Sequence, residues 1–508
     1  MFNENTNLPD GWVLTTLGQL GEWSSGGTPS RSHSEYYGGD IPWIKTGNLP
    51  DGLIEEIDEN ITWEGLANSS AKVFPKNSLI VAMYGATIGK LGILKESAAT
   101  NQACAALVSK SLTTEIIPYV FYYLLNRREH LRSIGQGGAQ PNISQTVLKE
   151  YPCPLPPLNE QRRIVAKIEA LKARSQRVKE ELEAIPTLLD QFRQSVLAAA
   201  FRGDLTADWR EKNPDVEPAS ELLKRIQEGT SKGKTKKRVD NALPDPFELP
   251  DEWLWVSLSD ICQTITDGDH QSPPKADKGI PFLVISNISQ GQLDFNNTRY
   301  VPEDYYQSIQ THRKPEKGDI IYSVVGSYGI PVLVNTENRF CFQRHIALLK
   351  PIRLLSSGCL LYALKSEFVF TQATKVATGT AQLTVTLSGL RRIKVPLIPA
   401  AEQQEIVRRI QSLFGTADKI EQQYQEAQAY LDQLNQSILA KAFRGELVPQ
   451  DPNDEPASVL LERIRAGRQK REAEAKTAKK STGKKGGRGS KKAQEHEVEA
   501  TQLEFPLE

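Results

Sequence analysis

The 508-residue sequence is poor in the residue types that mark whole classes of protein. Its five cysteines, Cys104, Cys153, Cys262, Cys341 and Cys359, lie far apart with no Cys-x-x-Cys pair. That spacing excludes a disulfide scaffold and a thiolate zinc site, and it fits the reduced thiols of a cytoplasmic protein. Six histidines never recur at metal-ligand spacing, so no structural zinc is expected. No run of eighteen apolar residues is present to span a bilayer, and the opening MFNENTNLPDGW lacks the charged-then-apolar signal of a secreted protein. Charge of either sign is also missing in net: Lys plus Arg number 62, as do Asp plus Glu. This balance argues against a protein that grips nucleic acid through bulk charge. Only residues 468 to 492 are unbalanced, with eleven basic side chains against two acidic ones. That Lys-, Gly- and Ala-rich stretch opens a tail, 468–508, that is basic and then acidic and is expected to be disordered.

Catalytic motifs are missing as well. Gly85 to Lys90 (GATIGK) has three residues between its glycines where a phosphate-binding loop needs four, and Leu91 stands where the magnesium-binding hydroxyl should be. No GxGxxG follows a strand, no HExxH occurs, and no Asn-Pro-Pro-aromatic string is present to hold an adenine for methylation. The one carboxylate–lysine triplet, Glu474 to Lys476, falls in the tail. No catalytic centre can be assembled from these residues.

What the chain does contain, it contains twice. Residues 160–203 and 402–445 align without a gap at an offset of 242, and both end Ala-Phe-Arg-Gly. Apolar residues recur in each at alternating steps of four and three, a narrow seam of about 3.5-residue period that predicts supercoiling helices. The expected pairing positions are Ile164, Ile168, Leu171, Val178, Leu182 and Leu189 on the first helix, and Ile406, Ile410, Leu413, Ile420, Leu431 and Leu434 on the second. Gly203 and Gly445 can take the left-handed conformation that ends a helix. Pro186 removes one helical hydrogen bond, and because the seam continues through it, a kink is expected there rather than two separate helices. None is expected at Gln428.

The parallels extend outward from the helices. LPDGW from Leu8 matches LPDEW from Leu249, IPWIKTGN matches IPFLVISN, and LIVAMYGATIG matches IIYSVVGSYG. Short apolar runs at Ile41–Ile44, Leu79–Tyr84, Ile88–Leu94 and Ala103–Val108 read as strands, Gly85 as a turn and Ile117–Ser133 as a helix. The expected organisation is a globular unit at 1–157, a long helix with a short helical arm at 158–230, and a linker at 231–247. A second globule follows at 248–399, then a second long helix with its arm at 400–467, and the tail. Pro218 and Pro456 occupy the first position of the two arm helices. The class is α+β with an internal twofold repeat.

Taken with its strings, this layout resembles the specificity (S) subunit of type I restriction-modification enzymes. The strings are SGGTPSRSHSEYYGGDIPWI from Ser25, the Gly85 turn, Asn101-Gln102, PLPPLNEQRRIVAKIE and the AFRG helix end, much of which recurs in the second half. The second half has TDGDHQSPP from Thr266 in place of GGTPS. The resemblance covers residues 8–467. It implies two mixed α/β target-recognition domains separated by two long helices paired as an antiparallel coiled coil. It also implies double-stranded DNA as ligand, two methylation subunits and the restriction/translocase subunits as partners, and no membrane. This chain would need no cofactor and do no catalysis; S-adenosylmethionine, ATP and magnesium would belong to the partner subunits. The paired helices would act as a spacer, since about 42 helical residues span ~63 Å against ~34–36 Å for a turn of B-DNA.

Residues 1–157 hold eleven basic and fifteen acidic side chains, and residues 241–399 fifteen of each. Phosphate contacts dominate non-specific affinity, so weak DNA binding by this subunit alone is expected, with base readout as its contribution. Candidate readers are polar residues in loops beside the strands. Gln140, Asn142 and Gln382 carry the amide that fits adenine in the major groove. Thr28, Ser30 and Arg31 lie in the GGTPSR loop, and His270 and Gln271 in its counterpart. Lys45, Tyr84, Lys90, Tyr322, Tyr328, Gln343 and Arg344 complete the set, whereas Trp12, Trp43 and Trp253 read as core. The competing reading is a coiled-coil scaffold or adaptor carrying two ligand-binding globules, which helical periodicity alone does not exclude.

Overall fold

In a computed structural model, residues 8–110, 112–135, 141–230, 243–268, 272–380 and 382–482 are described. The chain divides into two compact units, Met1–Lys179 with Ala429–Glu508, and Glu180–Gln428. Each unit therefore draws on both halves of the sequence. The reason is that the start of one long helix lies beside the end of the other, the antiparallel arrangement that the family resemblance implied.

Both globules begin and end in the same clip. Val13–Thr16 pairs antiparallel with Pro152–Leu155 in the first unit, and Leu254–Ser257 with Lys394–Leu397 in the second. The clip returns the chain to its starting point just before a long helix begins, and it places Trp12 or Trp253 over that helix's first turn. Beyond the clip, the first unit holds a five-stranded sheet in the order Trp23–Ser25, Cys104–Leu107, Leu79–Ala82, Leu91–Leu94 and Gly52–Ile54. The second unit has a four-stranded sheet ordered Cys262–Asp267, Ile346–Pro351, Ile320–Ser323 and Pro331–Leu333.

The central strands of these sheets are apolar on both faces because both faces are covered. Leu79, Val81, Ala105 and Leu107 join the core built with the helix Leu112–Asn126, while Ile80, Ala82, Cys104 and Ala106 join a second core with Ile44, Leu49 and Phe74. The second unit repeats the division: Ile320, Tyr322, Ala347 and Leu349 face one core, and Ile321, Ile346 and Leu348 the other. All five cysteines are buried and none forms a disulfide. No described helix is long and apolar enough to cross a membrane.

The helices differ from expectation in four respects. First, the helix is interrupted at Pro186: Leu158–Glu183 and Ile185–Arg202 are two helical segments separated by Ala184 alone. Ala184 keeps a right-handed backbone (φ −77°, ψ −20°), so the missing amide of Pro186 interrupts the hydrogen-bond ladder without turning the chain out of helical space. The second long helix, Ala400–Ala442, is continuous through Gln428. Second, the seam is buried unevenly. Ile164 and Ile168 in the first unit and Leu189, Ile406 and Ile410 in the second are buried, and Leu171, Leu182, Leu413 and Leu431 are partly so. Val178, Ile420 and Leu434 are 44%, 41% and 49% exposed; a 3.5-residue period marks one side of a helix but does not say how closely a partner approaches it. Third, the arm after Pro456 runs as one helix from Ala457 to Thr482, so residues 468–482, expected to be disordered, are helical. Their Ala-, Glu-, Lys- and Arg-rich composition is strongly helix-forming. Fourth, the helix expected at Ile117–Ser133 is likewise two, Leu112–Asn126 and Arg128–Gly135.

Each arm helix packs on the globule of the other half of the sequence. Ala457, Leu460, Leu461 and Ile464 lie in the core with Trp12, Leu17 and Leu20, and Ala219, Leu222 and Ile226 lie with Trp253 and Leu258. At the ends of the helix pair the junctions follow one plan. Buried Glu160 accepts from the Trp12 indole at 3.0 Å, and Arg163 pairs with Asp454 at 2.7 Å. Glu402 accepts from the Trp253 indole at 2.8 Å and from Thr206 and Arg210 at 2.6 Å each. Farther along the pair the plan diverges. Arg193 bridges Asp418 at 2.9 Å and Glu421 at 2.7 Å, whereas the positions 242 residues away hold Asn435, Gln176 and Lys179.

Stability should follow this uneven seam. Ile164→Ala and Ile406→Ala are each expected to cost roughly 2–5 kcal/mol, and Val178→Ala under about 1 kcal/mol. Urea unfolding followed by circular dichroism measures both; equal losses at the three sites would show that the middle of the pair is packed as tightly as its ends.

Candidate nucleic-acid interface

Strand order decides which loops meet. In the first unit, the ends of Trp23–Ser25 and Leu79–Ala82 and the starts of Cys104–Leu107 and Leu91–Leu94 lie at one edge of the sheet, because these neighbours are antiparallel. That edge carries the loops with Gly26–Arg31, Tyr84, Lys90 and Asn101–Gln102. Tyr84 forms an isolated bridge to Asn142, and the Gly85 amide donates to the Pro141 carbonyl at 2.8 Å. The strand Tyr37–Ile44, which belongs to a separate four-stranded sheet of this unit, joins the same edge where the Asn101 amide donates to the Ile44 carbonyl at 2.9 Å, next to Lys45. Thr28, Ser30, Arg31, Lys45, Tyr84, Lys90 and Asn142 are thus brought together, although they span more than a hundred residues of sequence.

The GGTPSR loop is held at several points. The Gly27 amide donates to the Thr100 carbonyl at 2.9 Å, the Trp43 indole donates to the Gly27 carbonyl at 3.0 Å, and the Tyr37 hydroxyl donates to the Pro29 carbonyl at 2.5 Å. Thr28 donates to the Gln102 side chain, and Ser30 and Ser32 share a hydrogen bond at 2.7 Å. Two glycines are required here because the backbones cross: a Cβ on Gly26 would lie 2.0 Å from the Thr100 carbonyl oxygen, and one on Gly27 2.3 Å from Ser70. Glu59 receives both Nη groups of Arg31, the Nη2 bond being 3.0 Å, together with Lys45 at 3.1 Å. Arg31, the strongest of these influences, holds the Glu59 carboxyl below its ordinary range.

The second unit builds the same edge from different residues. Gly268 takes the place of Gly26: its amide donates to the Ile346 carbonyl as that of Gly26 does to Cys104, and a Cβ there would lie 2.1 Å from the Phe342 carbonyl oxygen. The glycine crossing therefore survives although the GGTPS string does not. Gln343 and Arg344 occupy the positions of Asn101 and Gln102, at the same offset of 242. The Gly326 amide donates to the Leu383 carbonyl at 3.1 Å, with exposed Gln382 beside it. Tyr328 stacks on Phe370 with centroids 5.5 Å apart, and its hydroxyl meets Thr374 at 2.9 Å.

Some candidates are placed elsewhere. Tyr322 is 0% exposed, with its hydroxyl lacking a hydrogen-bond partner among the described residues. It lies on a two-sided buried strand at the position of Val81, and the period-2 alternation turns it inward with Ile320. It is core and cannot meet a ligand. Gln140, His270 and Gln271 lie outside the described residues. Trp12, Trp43 and Trp253 are buried, as expected for core. Sequence reading missed Glu59 and Gln102 as supports: Glu59 belongs to an acidic run that reads as solvated surface, and only tertiary contact reveals its partners. Among the described residues no cluster of three or more His, Cys, Asp or Glu is arranged to hold a metal ion.

A buried hydroxyl without a partner is a cost that phenylalanine would not bear. Tyr322→Phe is therefore expected to leave stability unchanged or raise it by up to about 2 kcal/mol, read from the urea midpoint. A loss above about 1 kcal/mol would show that the hydroxyl is in use.

Comparison with known proteins agrees with this architecture. Residues 9–186 and 250–429 match the family model for the type I restriction modification DNA specificity domain. The chain is 28% identical over 483 residues to the type I restriction enzyme EcoBI specificity subunit of Escherichia coli, covering 92% of this chain and 94% of that one. It is 30% identical over 377 residues to the EcoDI specificity subunit of Escherichia coli, covering 69% and 76%. Among solved structures, a chain from work on assembly and conformational transition of the type I R-M system matches with a TM-score of 0.62 at 22% identity, over 87% of this chain and 100% of that one. The HsdS subunit from Thermoanaerobacter tengcongensis matches with a TM-score of 0.54 at 22% identity, over 88% and 100%. At these identities the structural likeness speaks for the fold alone.

Proposed function

The chain belongs to the type I restriction-modification DNA specificity family, and on that premise we propose that each of its two units reads one half of an asymmetric, interrupted DNA site. One observation carries the reading: each unit has the same frame, with its clip, buried glutamate, sheet and glycine crossing, yet the side chains on the common edge differ. A repeated frame with divergent loops is what two different half-sites require. The near-neutral to acidic globules favour base readout over bulk phosphate attraction. Methylation subunits docked on the helices would supply most of the backbone contact. Methyl transfer with S-adenosylmethionine, and ATP- and magnesium-dependent cleavage, would belong to those and the restriction subunits, this chain being non-catalytic.

The direct test is methylome sequencing of cells that make this chain with its methylation subunits. Replacing residues 8–157 by the matching globule of a relative is expected to change one half of the methylated motif and leave the other intact. A swap that changes both halves, or methyl transfer by this chain alone, would contradict the reading.

The helix pair is the natural spacer between half-sites. The 43 residues of the second long helix correspond to ~65 Å at 1.5 Å per residue. Seven residues inserted after Lys179, with seven matching ones after Glu421, keep the seam in phase and add ~10 Å. The half-site sequences are expected to persist while the unspecified gap lengthens by about three base pairs. An active variant with an unchanged gap would show that the helices do not set the distance.

A further inference from the structure

Arg31 is the most elaborately positioned cation at the common edge of the first unit. Its guanidinium carbon lies 4.2 Å from the Tyr37 ring centroid and 5.4 Å from that of Trp43, which fixes the plane of the group. Its two Nη groups are taken end-on by the two oxygens of Glu59, which fixes rotation within that plane. Glu59 is in turn held by Lys45 at 3.1 Å, and its carbonyl accepts from the Trp43 amide at 2.9 Å. Tyr37 and Trp43 are themselves tied to the loop through Pro29 and Gly27. Despite these contacts the Arg31 side chain is 58% exposed.

End-on capture by a carboxylate leaves one donor pair of a guanidinium free. The Nε–H and the outer N–H of Nη2 point in parallel along the side edge, and among the described residues no group takes the Nε–H of Arg31. A free, planar, parallel donor pair matches the O6 and N7 acceptors of guanine in the major groove, the commonest base-specific contact of arginine. A carboxylate that serves only to neutralise an arginine needs neither the aromatic platform nor the exposed side edge. Neighbouring Thr28, Gln102, Tyr84 and Asn142 share the same edge of the sheet, so the fork stands among the other candidate readers.

We infer that Arg31, braced by Glu59 and stacked on Tyr37, reads a guanine in the half-site of the first unit; the inference rests on the DNA-reading function proposed above. Glu59 is a positioning residue: it aims the fork and lowers its cost of ordering. The contact belongs to one half-site alone, because the second unit has no GGTPSR string.

The test uses the full chain together with its methylation subunits and reads the methylated motif across the genome. In Arg31→Ala, one guanine position of one half-site is expected to become degenerate, with its preference falling roughly ten-fold or more, while the other half-site keeps its sequence. Arg31→Lys should not restore the position, since an ammonium cannot form the fork. Glu59→Gln retains the arginine but loosens its aim, so it should relax the same position partially in a protein with unchanged urea midpoint; this variant decides the matter if Arg31→Ala fails to fold. A uniform drop in methylation at all sites with unchanged base preference would make Arg31 a phosphate contact and overturn the assignment. So would a motif with no guanine in the half-site that exchanging residues 8–157 alters, or a motif identical in all variants. If the wild-type chain yields no two-part motif at all, the failure lies with the proposed function and not with Arg31.

Discussion

Everything else in each unit is built against a buried carboxylate at the start of a long helix. Glu160 and Glu402 are each only 1% exposed, and taking an ionised carboxylate out of water is expensive unless donors replace the water. The helix N-terminus favours the negative charge, and an indole N–H, from Trp12 or Trp253, supplies the first donor. Burial still pushes the Glu160 carboxyl up. Because the indole belongs to the first residues of the globule, the glutamate can be satisfied only if the chain returns to its starting point, which the two-stranded clip accomplishes. The second set of partners comes from beyond the other long helix, Gln450 for Glu160 and Thr206 with Arg210 for Glu402. One buried charge thus joins globule, helix and returning arm.

This frame leaves the opposite end of each sheet free to vary. The glycine crossings at Gly26 and Gly268 bring backbones together, a requirement met by a missing side chain and not by any particular polar neighbour. The polar residues around the crossings differ between the two units. The first unit places Thr28 and Gln102 there, and the second Gln343 and Arg344. Separation of a fixed core from a variable edge is the physical condition for changing what is recognised without losing the protein.

The pair of long helices shows a second kind of divergence. The ionic cluster of Arg193, Asp418 and Glu421 has a neutral or basic counterpart in Asn435, Gln176 and Lys179. If the first long helix paired antiparallel with a copy of itself, Arg193 would face Lys179, a like-charge contact; two copies of the second would set Asn435 against two carboxylates without a cation. The exposed members of the cluster contribute little stability each, but the mismatch in the alternatives favours the pairing of unlike helices.

Much of this was legible without coordinates. The offset of 242 residues, the 3.5-residue seam, the Ala-Phe-Arg-Gly helix ends and the apolar strand runs are properties of neighbouring residues. Local backbone preference and period of hydrophobicity determine them, so the sequence alone established two repeated α/β globules, two long paired helices and the family they belong to. It also placed Trp12, Trp43 and Trp253 in the core. What only the tertiary structure decided concerns partners distant in the chain. That Asp454 meets Arg163, 291 positions away, that each arm covers the other half's globule, that Glu59 is the brace of Arg31 and that Tyr322 turns inward all depend on which surfaces meet. A periodic pattern fixes the side of an element that is apolar, but the depth of its burial and the identity of its polar neighbours are set by packing. For that reason Val178 and Ile164 look alike in the seam yet differ in the fold, one exposed at mid-helix and the other sealed against a globule.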